Sequence, residues 1–184
     1  MSDEALLDHI RRGSEPHFGE LYNRYFQRIY TFAYVRVRNH ADAEEIAQET
    51  FTAVFRSIGA FGGRSTLLSW IYGIAKNTAN NHLRRAKPHD ARIDDLDESV
   101  IATTDAFESS RPDEEFELHA YARTVAARLD KLAPWQVDAF CMRHFDNLSI
   151  PEICERTDRS SDAVRSSLYR VKRVFLETVG AEAR

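Results

Sequence analysis

Leu148-Ser149-Ile150-Pro151-Glu152-Ile153-Cys154-Glu155-Arg156-Thr157-Asp158-Arg159-Ser160-Ser161-Asp162-Ala163-Val164-Arg165-Ser166-Ser167-Leu168-Tyr169-Arg170-Val171-Lys172-Arg173 decides the fold of the C-terminal part of this chain. Ser149-x-x-Glu152 is a capping box, in which the serine oxygen accepts the Glu152 amide and the glutamate side chain returns the bond. It predicts a short helix that ends at Thr157-Asp158. Ser160 or Ser161 then caps a last helix, with Val164, Leu168, Val171 and Phe175 as its buried stripe. Two helices joined by so short a turn form a helix-turn-helix, whose second helix lies in the major groove of DNA. The face opposite the stripe carries Arg165, Ser166, Tyr169, Arg170 and Arg173, with Lys172 beside it. Arginine donates two bonds to guanine or one to a phosphate, and serine and tyrosine commonly meet phosphate. The bland reading of this face is a solvated terminal helix; the capped helix and turn just upstream favour DNA.

Working back from this stretch, Pro134 suits the first turn of a helix that buries Val137, Phe140, Cys141 and Phe145. A helix before it contains Phe116, Ala120, Val125 and Leu129. From Pro88 to Asp113 the chain is acidic, contains Ser and Thr, and has no period, as expected of an interdomain linker. Residues 88–118 hold 11 acidic and two basic side chains, a net charge of −9. The net charge of the whole chain is −4, so the remainder is basic, and residues 156–173 alone sum to +4. The positive charge sits where a nucleic-acid surface needs it.

The N-terminal part is also helical. A short amphipathic helix runs from about Glu4 to Arg12. Phe18, Leu21, Tyr22, Tyr25, Phe26, Ile29, Tyr30 and Ala33 then place one apolar face on a long helix. The next helix opens at Ala41-Asp42 and buries Ala47, Phe51, Val54, Phe55 and Ile58, with Glu44, Glu45, Gln48 and Glu49 on or beside its other face. Gly59 to Ser65 is a loop by its glycines. A helix from about Thr66 to Arg85 turns Leu67, Trp70, Ile71 and Ile74 inward, and Pro88 stops it. No strand alternation is present. The fold class expected is therefore all-α, with two helical domains, 1–87 and 114–184, joined by the acidic linker 88–113.

Other chemistries find little support. No apolar run is long enough to cross a membrane, and no basic stretch followed by an apolar one marks a secretory signal. Cys141 and Cys154 do not make a disulfide framework, which fits a reducing cytoplasm. Cys141-x-x-His144 with Cys154 lacks a fourth zinc ligand, and both cysteines fall on apolar helix faces. Gly59-x-x-Gly62-Gly63 has no following Lys-Ser/Thr and is not a phosphate loop. No nucleophile-base signature recommends an enzyme, and no cofactor is expected.

Two further segments carry a resemblance. Asp42-Ala43-Glu44-Glu45-Ile46-Ala47-Gln48-Glu49-Thr50-Phe51 is followed by Trp70-Ile71-Tyr72-Gly73-Ile74-Ala75-Lys76-Asn77. In this order, ahead of the linker and the helix-turn-helix, they resemble a bacterial RNA polymerase sigma factor of the extracytoplasmic-function group. The resemblance covers nearly the whole chain outside the linker, which is too short and too polar to be the central domain of larger members. It implies that Phe18 to Lys87 is a region-2-like domain and that the C-terminal domain, like region 4, reads the −35 element.

Carried over by position, Asp42, Glu45, Gln48 and Glu49 would dock on the β′ clamp helices of core polymerase through charge-assisted hydrogen bonds. The resemblance adds the β flap as a second polymerase contact. Phe61, Arg64, Ser65, Tyr72, Lys76, Asn77, Asn80, Asn81, Arg84 and Arg85 would open and hold the −10 strand, with Lys87 also following phosphates. An extruded base costs a few kcal/mol, about what one or two stacking contacts return. Trp70 reads better as core than as base contact, and Phe61 fits either role.

Arg165, Ser166, Tyr169, Arg170, Lys172 and Arg173 would meet the −35 duplex. An anti-sigma partner is expected, and the linker is expected to thread the polymerase's basic channels. The chain departs from the family at Thr157-Asp158, where a large aliphatic and glycine are usual, and at Gly62-Gly63-Arg64, where an acidic residue is missing. The competing reading is a helix-turn-helix regulator that binds a palindromic duplex as a dimer, without serving as a polymerase subunit.

Overall fold

A computed structural model describes residues 1–86 and 112–179, with side chains for 1–86 and 117–175. Eight α-helices and one 3-10 turn make up these residues, with no strand among them. Residues 87–111 lie outside the described residues, and with them Lys87 and all of the acidic linker but its last two residues.

Several helices begin where a side chain satisfies a free amide. Ser2 Oγ accepts the Ala5 amide at 3.3 Å to open α1, Asp3–Arg11. Pro16 stands in the first turn of α2, Glu15–Val37, which ends on Arg38 in the left-handed region at φ 54. Asn39 Oδ1 accepts the Asp42 amide at 3.0 Å and starts α3, His40–Ser57, one residue before the expected start. A 3-10 turn, Ile58–Ala60, leads into the glycine loop. Thr66 Oγ1 accepts the Ser69 amide at 3.2 Å ahead of α4, Leu67–Ala86. The second half holds α5, Pro112–Leu129; α6, Pro134–His144; α7, Ile150–Thr157; and α8, Ser161–Val179. The start of α5 falls at Pro112, inside the last two residues read as linker.

α2 is the axis of the molecule. Its N-terminal half is amphipathic as expected, burying Phe18, Leu21 and Tyr25. From Ile29 to Ala33 every residue is buried, and Val35 with them. A helix buried all round must be covered on every side, whereas the sequence pattern indicated one apolar face only. The reason is tertiary. α3 and α4 cover one side of α2, and α5, α6 and α8 cover the other. One continuous apolar cluster thus runs from Leu6 to Phe175 through both halves. A smaller cluster, Ala139, Ile153 and Val164, holds α7 and α8 on α6.

One aromatic residue departs from expectation, and a second takes one of the two places open to it. Phe55, read as part of the buried stripe of α3, is 50% exposed, because its position on the helix brings it to the edge where its ring meets Phe18 edge-on at 4.9 Å. Phe61 is 8% exposed, packs on Trp70 at 5.2 Å, and offers its backbone carbonyl to Arg11 at 2.6 Å. Phe61 is therefore packed in the core here. Trp70 is half-buried against it, in keeping with a wedge between helices.

Candidate nucleic-acid and polymerase interfaces

The helix-turn-helix is built as its sequence indicates. Ser149 Oγ accepts the Glu152 amide at 3.4 Å, and the Glu152 carboxylate accepts the Ser149 amide at 2.7 Å. These bonds from Ser149 hold the Glu152 carboxyl below its ordinary range. Asp158 takes the left-handed conformation, φ 51 and ψ 48, that ends α7 and turns the chain. Aspartate tolerates this region better than most residues, so the turn survives without glycine. Ser160 Oγ then accepts the Ala163 amide at 3.2 Å, which settles the cap of α8 on Ser160.

On α8, Val164 and Val171 are fully buried, and so is Ser167, whose hydroxyl donates to the Gln136 carbonyl at 3.2 Å. These anchors fix the rotation of the helix. The opposite face therefore presents Arg165, Ser166, Tyr169, Arg170, Lys172 and Arg173, all exposed, with Tyr169 at 63%. Arg128 and Lys131 from the end of α5 line a shallow depression together with Arg170 and Arg173, and so extend this positive surface. Sequence reasoning missed both, since no local period links them to α8.

The outer face of α3 carries the predicted polymerase-docking set. Glu45 and Gln48 are exposed. Asp42 lies 3.4 Å from His82 Nε2, and Glu49 lies 4.0 Å from the Arg85 guanidinium, so α4 sets an imidazole and a guanidinium beside two of the four positions. Asp42, Glu45 and His82 bring three potential ligand atoms within 4.8 Å of one another, the group among the described residues best able to take a cation. Exposed Thr52 and Phe55 continue the face beyond Gln48 at helical spacing. Phe55 is a further candidate contact that the buried-stripe reading had hidden.

The predicted strand-binding residues divide into two rows. Arg64, Ser65, Asn77, Asn81, Arg84 and Arg85 are exposed, and Arg84 donates to Asn81 Oδ1 at 3.0 Å. Tyr72, Lys76 and Asn80, four residues apart, form an inner row that faces α2 and the second half. Tyr72 packs on Phe32 at 5.0 Å, and burial pushes its hydroxyl up to about 12. Lys76 donates to Asn147 Oδ1, and Asn80 donates to the Phe145 carbonyl at 3.3 Å.

The halves meet along a seam with polar and apolar parts. The Phe32 and Phe145 rings stack at 4.3 Å, and Arg36 donates to Asp146 at 2.9 Å. Arg38 donates to Asp130 at 2.6 Å. The Tyr121 hydroxyl lies 2.6 Å from Thr31 Oγ1. Cys141 is buried in the seam with its thiol toward the Val35 carbonyl at 3.7 Å. Burial pushes that thiol up to about 11.

Comparison with known proteins completes the description. Residues 21–89 match the family model for Sigma-70 region 2, and residues 122–174 match that for Sigma-70, region 4. The chain is 28% identical over 179 residues to the ECF RNA polymerase sigma-E factor of Haemophilus influenzae, covering 95% of this chain and 94% of the relative. It is also 28% identical over 173 residues to the RNA polymerase sigma-H factor of Pseudomonas aeruginosa, covering 92% and 90%. Among solved structures it is similar to CnrH, determined in complex with the cytosolic domain of CnrY, at 18% identity and a TM-score of 0.45 over 98% of each chain.

Proposed function

This chain belongs to the extracytoplasmic-function group of the sigma-70 family of RNA polymerase sigma factors, and from that premise we propose how its surfaces divide the work of promoter recognition. The protein binds core RNA polymerase and directs initiation at promoters with −10 and −35 elements. The outer face of α3, with Asp42, Glu45, Gln48 and Glu49, docks on the β′ clamp helices. Phe55 adds an apolar contact at the end of that face. The α8 face, with Arg165, Ser166, Tyr169, Arg170, Lys172 and Arg173, reads the −35 duplex. Its arginines supply base readout, and the remaining groups supply phosphate contacts.

The glycine loop and α4 hold the opened −10 strand through Arg64, Ser65, Tyr72, Lys76, Asn77, Asn80, Asn81, Arg84 and Arg85. Phe61 supports the loop from the core. The working units are 1–87 and 114–184, the second also meeting the β flap. The protein acts in the cytoplasm as a binding factor and not as an enzyme. An anti-sigma factor restrains it.

One observation carries this reading. A rigidly capped helix-turn-helix with an arginine-rich outer face follows, in the same chain, a helical unit whose acidic face and Asn/Arg-rich helix stand side by side. A dimeric duplex-binding regulator has no use for the second of these.

The test is transcription in vitro with purified bacterial core polymerase on a genomic promoter library, with and without the protein. The expected result is a set of new start sites sharing two spaced, unlike motifs. Tight binding to a palindromic duplex, with neither core binding nor transcription, would establish the regulator instead.

A further inference from the structure

The α6–α7 turn, Phe145-Asp146-Asn147, projects from the C-terminal half into the cleft between α2 and α4. Its shape is set locally. The Phe145 and Asp146 amides both donate to the Cys141 carbonyl, at 2.8 and 3.2 Å, and Asn147 adopts φ 58. Each of the three residues satisfies a group on the other side. The Phe145 ring stacks on Phe32 with an interplanar angle of 18°, and the Arg36 guanidinium lies 5.3 Å from its centroid. The Asp146 carboxylate accepts from Arg36, the Asn147 amide oxygen accepts from Lys76, and the Phe145 carbonyl accepts from Asn80.

The groups on the cleft side are an aromatic ring, a guanidinium, an ammonium and a carboxamide. This is the set that holds an unpaired nucleotide: a ring for the base to stack on, cations for its phosphates and an amide for its edge. The groups that fill the cleft match in kind: an aromatic ring where a base stacks, a carboxylate where a phosphate sits and an amide oxygen where a base edge accepts.

We infer that the cleft walled by Phe32, Arg36, Lys76 and Asn80 is a single-stranded DNA site, and that the Phe145-Asp146-Asn147 turn fills it as an internal stand-in for a nucleotide. This rests on the reading of α4 as strand-binding, and adds to it two α2 residues, Phe32 and Arg36, and a competitor carried on the same chain. The closed arrangement leaves the α8 face exposed and the inner row of α4 half-buried. Free protein therefore binds duplex through α8 while its affinity for a single strand is reduced by the fraction of molecules that are open.

The test uses the full chain and a fluorescein-labelled 12-nucleotide single strand of mixed sequence, with a mixed-sequence duplex as control. Separation of the halves is followed by energy transfer between dyes placed one on each half, and folding by circular dichroism. Asp146→Ala/Asn147→Ala removes two of the stand-in groups while sparing buried Phe145. It should separate the halves and tighten single-strand binding about tenfold, with duplex binding changed less than twofold. Adding Arg36→Ala to that variant should return single-strand affinity to the wild-type level or below, although the halves stay apart. Asp138→Ala, which removes an exposed carboxylate elsewhere on α6, should leave all three readings unchanged.

The inference is overturned if the double variant leaves single-strand affinity unchanged, whether or not the halves separate. It is overturned equally if duplex binding rises in step with single-strand binding, or if Arg36→Ala has no effect in the opened background. None of these outcomes bears on core-dependent transcription by the wild-type chain, so the sigma-factor assignment stands or falls separately.

Discussion

The α8 face and the inner row of α4 carry similar side chains, yet the tertiary structure treats them oppositely. Arg165, Tyr169, Arg170 and Arg173 stand in solvent because Val164, Ser167 and Val171 beneath them are fully buried. Tyr72 is engaged by Phe32 of its own half, and Lys76 and Asn80 by Asn147 and Phe145 from across the seam. Local sequence sets the first face, since one helix and its cap decide which side points out. A partner surface far away in the chain sets the second. Residues suited to bind nucleic acid are thus not all available to bind it, and their availability depends on whether the two halves are together.

Phe145→Ala should have the largest effect on that contrast. The ring is 2% exposed and sits in both the C-terminal core and the seam, so its loss should cost about 3–5 kcal/mol of stability. Urea unfolding followed by circular dichroism measures it; a loss under about 1 kcal/mol would mean that the seam is not a packed core. Arg165→Ala comes next. Loss of one base-reading arginine should lower −35-dependent transcription about tenfold or more, with core binding intact. An equal fall in core binding would point to misfolding instead, and no fall at all would remove Arg165 from the reading face.

Ser149→Ala should destabilise the C-terminal half by about 1 kcal/mol through the lost cap of α7, read as a lower melting temperature with the α3 face still competent for core binding. Its partner Glu152 has a carboxyl held below the ordinary range by Ser149. A depressed carboxyl contributes stability above its unfolded value and loses it as pH falls through the folded one. The wild-type C-terminal half should therefore weaken on acidification below the ordinary carboxylate range, and Ser149→Ala should flatten that dependence. An unchanged acid profile in the variant would show that the capping box is not the source.

Asp130→Ala should do least. Its pair with Arg38 is partly solvent-exposed on both sides, and such pairs contribute about 0.2–1 kcal/mol. Energy transfer between the halves should report a small shift toward separation at low salt and none at high salt. A complete opening would place the strength of the seam in its charges and not in Phe32 and Phe145.

Some features could be read directly along the chain. The capping box at Ser149 and Glu152 and the left-handed turn at Asp158 depend on contacts within four residues, and the hydrophobic period of α8 marks which of its faces is buried. Other features could not. Phe55 satisfied the period of the buried stripe but stands at the edge of the buried face, with Val54 and Ile58 buried on either side of it, and Phe61 came from a loop whose packing no period reports. Ile29 to Val35 did contain a signal. Phe32 and Val35 are apolar residues in excess of one helical face, and such excess marks burial on a second side.

The sequence by itself determined that the chain is helical, where most helices begin and end, which face of α8 turns outward, and the family to which the motifs belong. These follow from short-range hydrogen bonding, backbone sterics and hydrophobic period, all of which act between neighbours in the chain. Only the tertiary structure decided that α2 is enclosed by both halves, that Arg128 and Lys131 join the positive surface, and that Lys76 and Asn80 of α4 are engaged by the α6–α7 turn. Those outcomes depend on which surfaces far apart in the chain meet, at the seam across 65 to 110 residues. The burial of Phe32 against Phe145 and the bond of Arg36 to Asp146 come from the meeting of two faces, neither of which encodes the other locally.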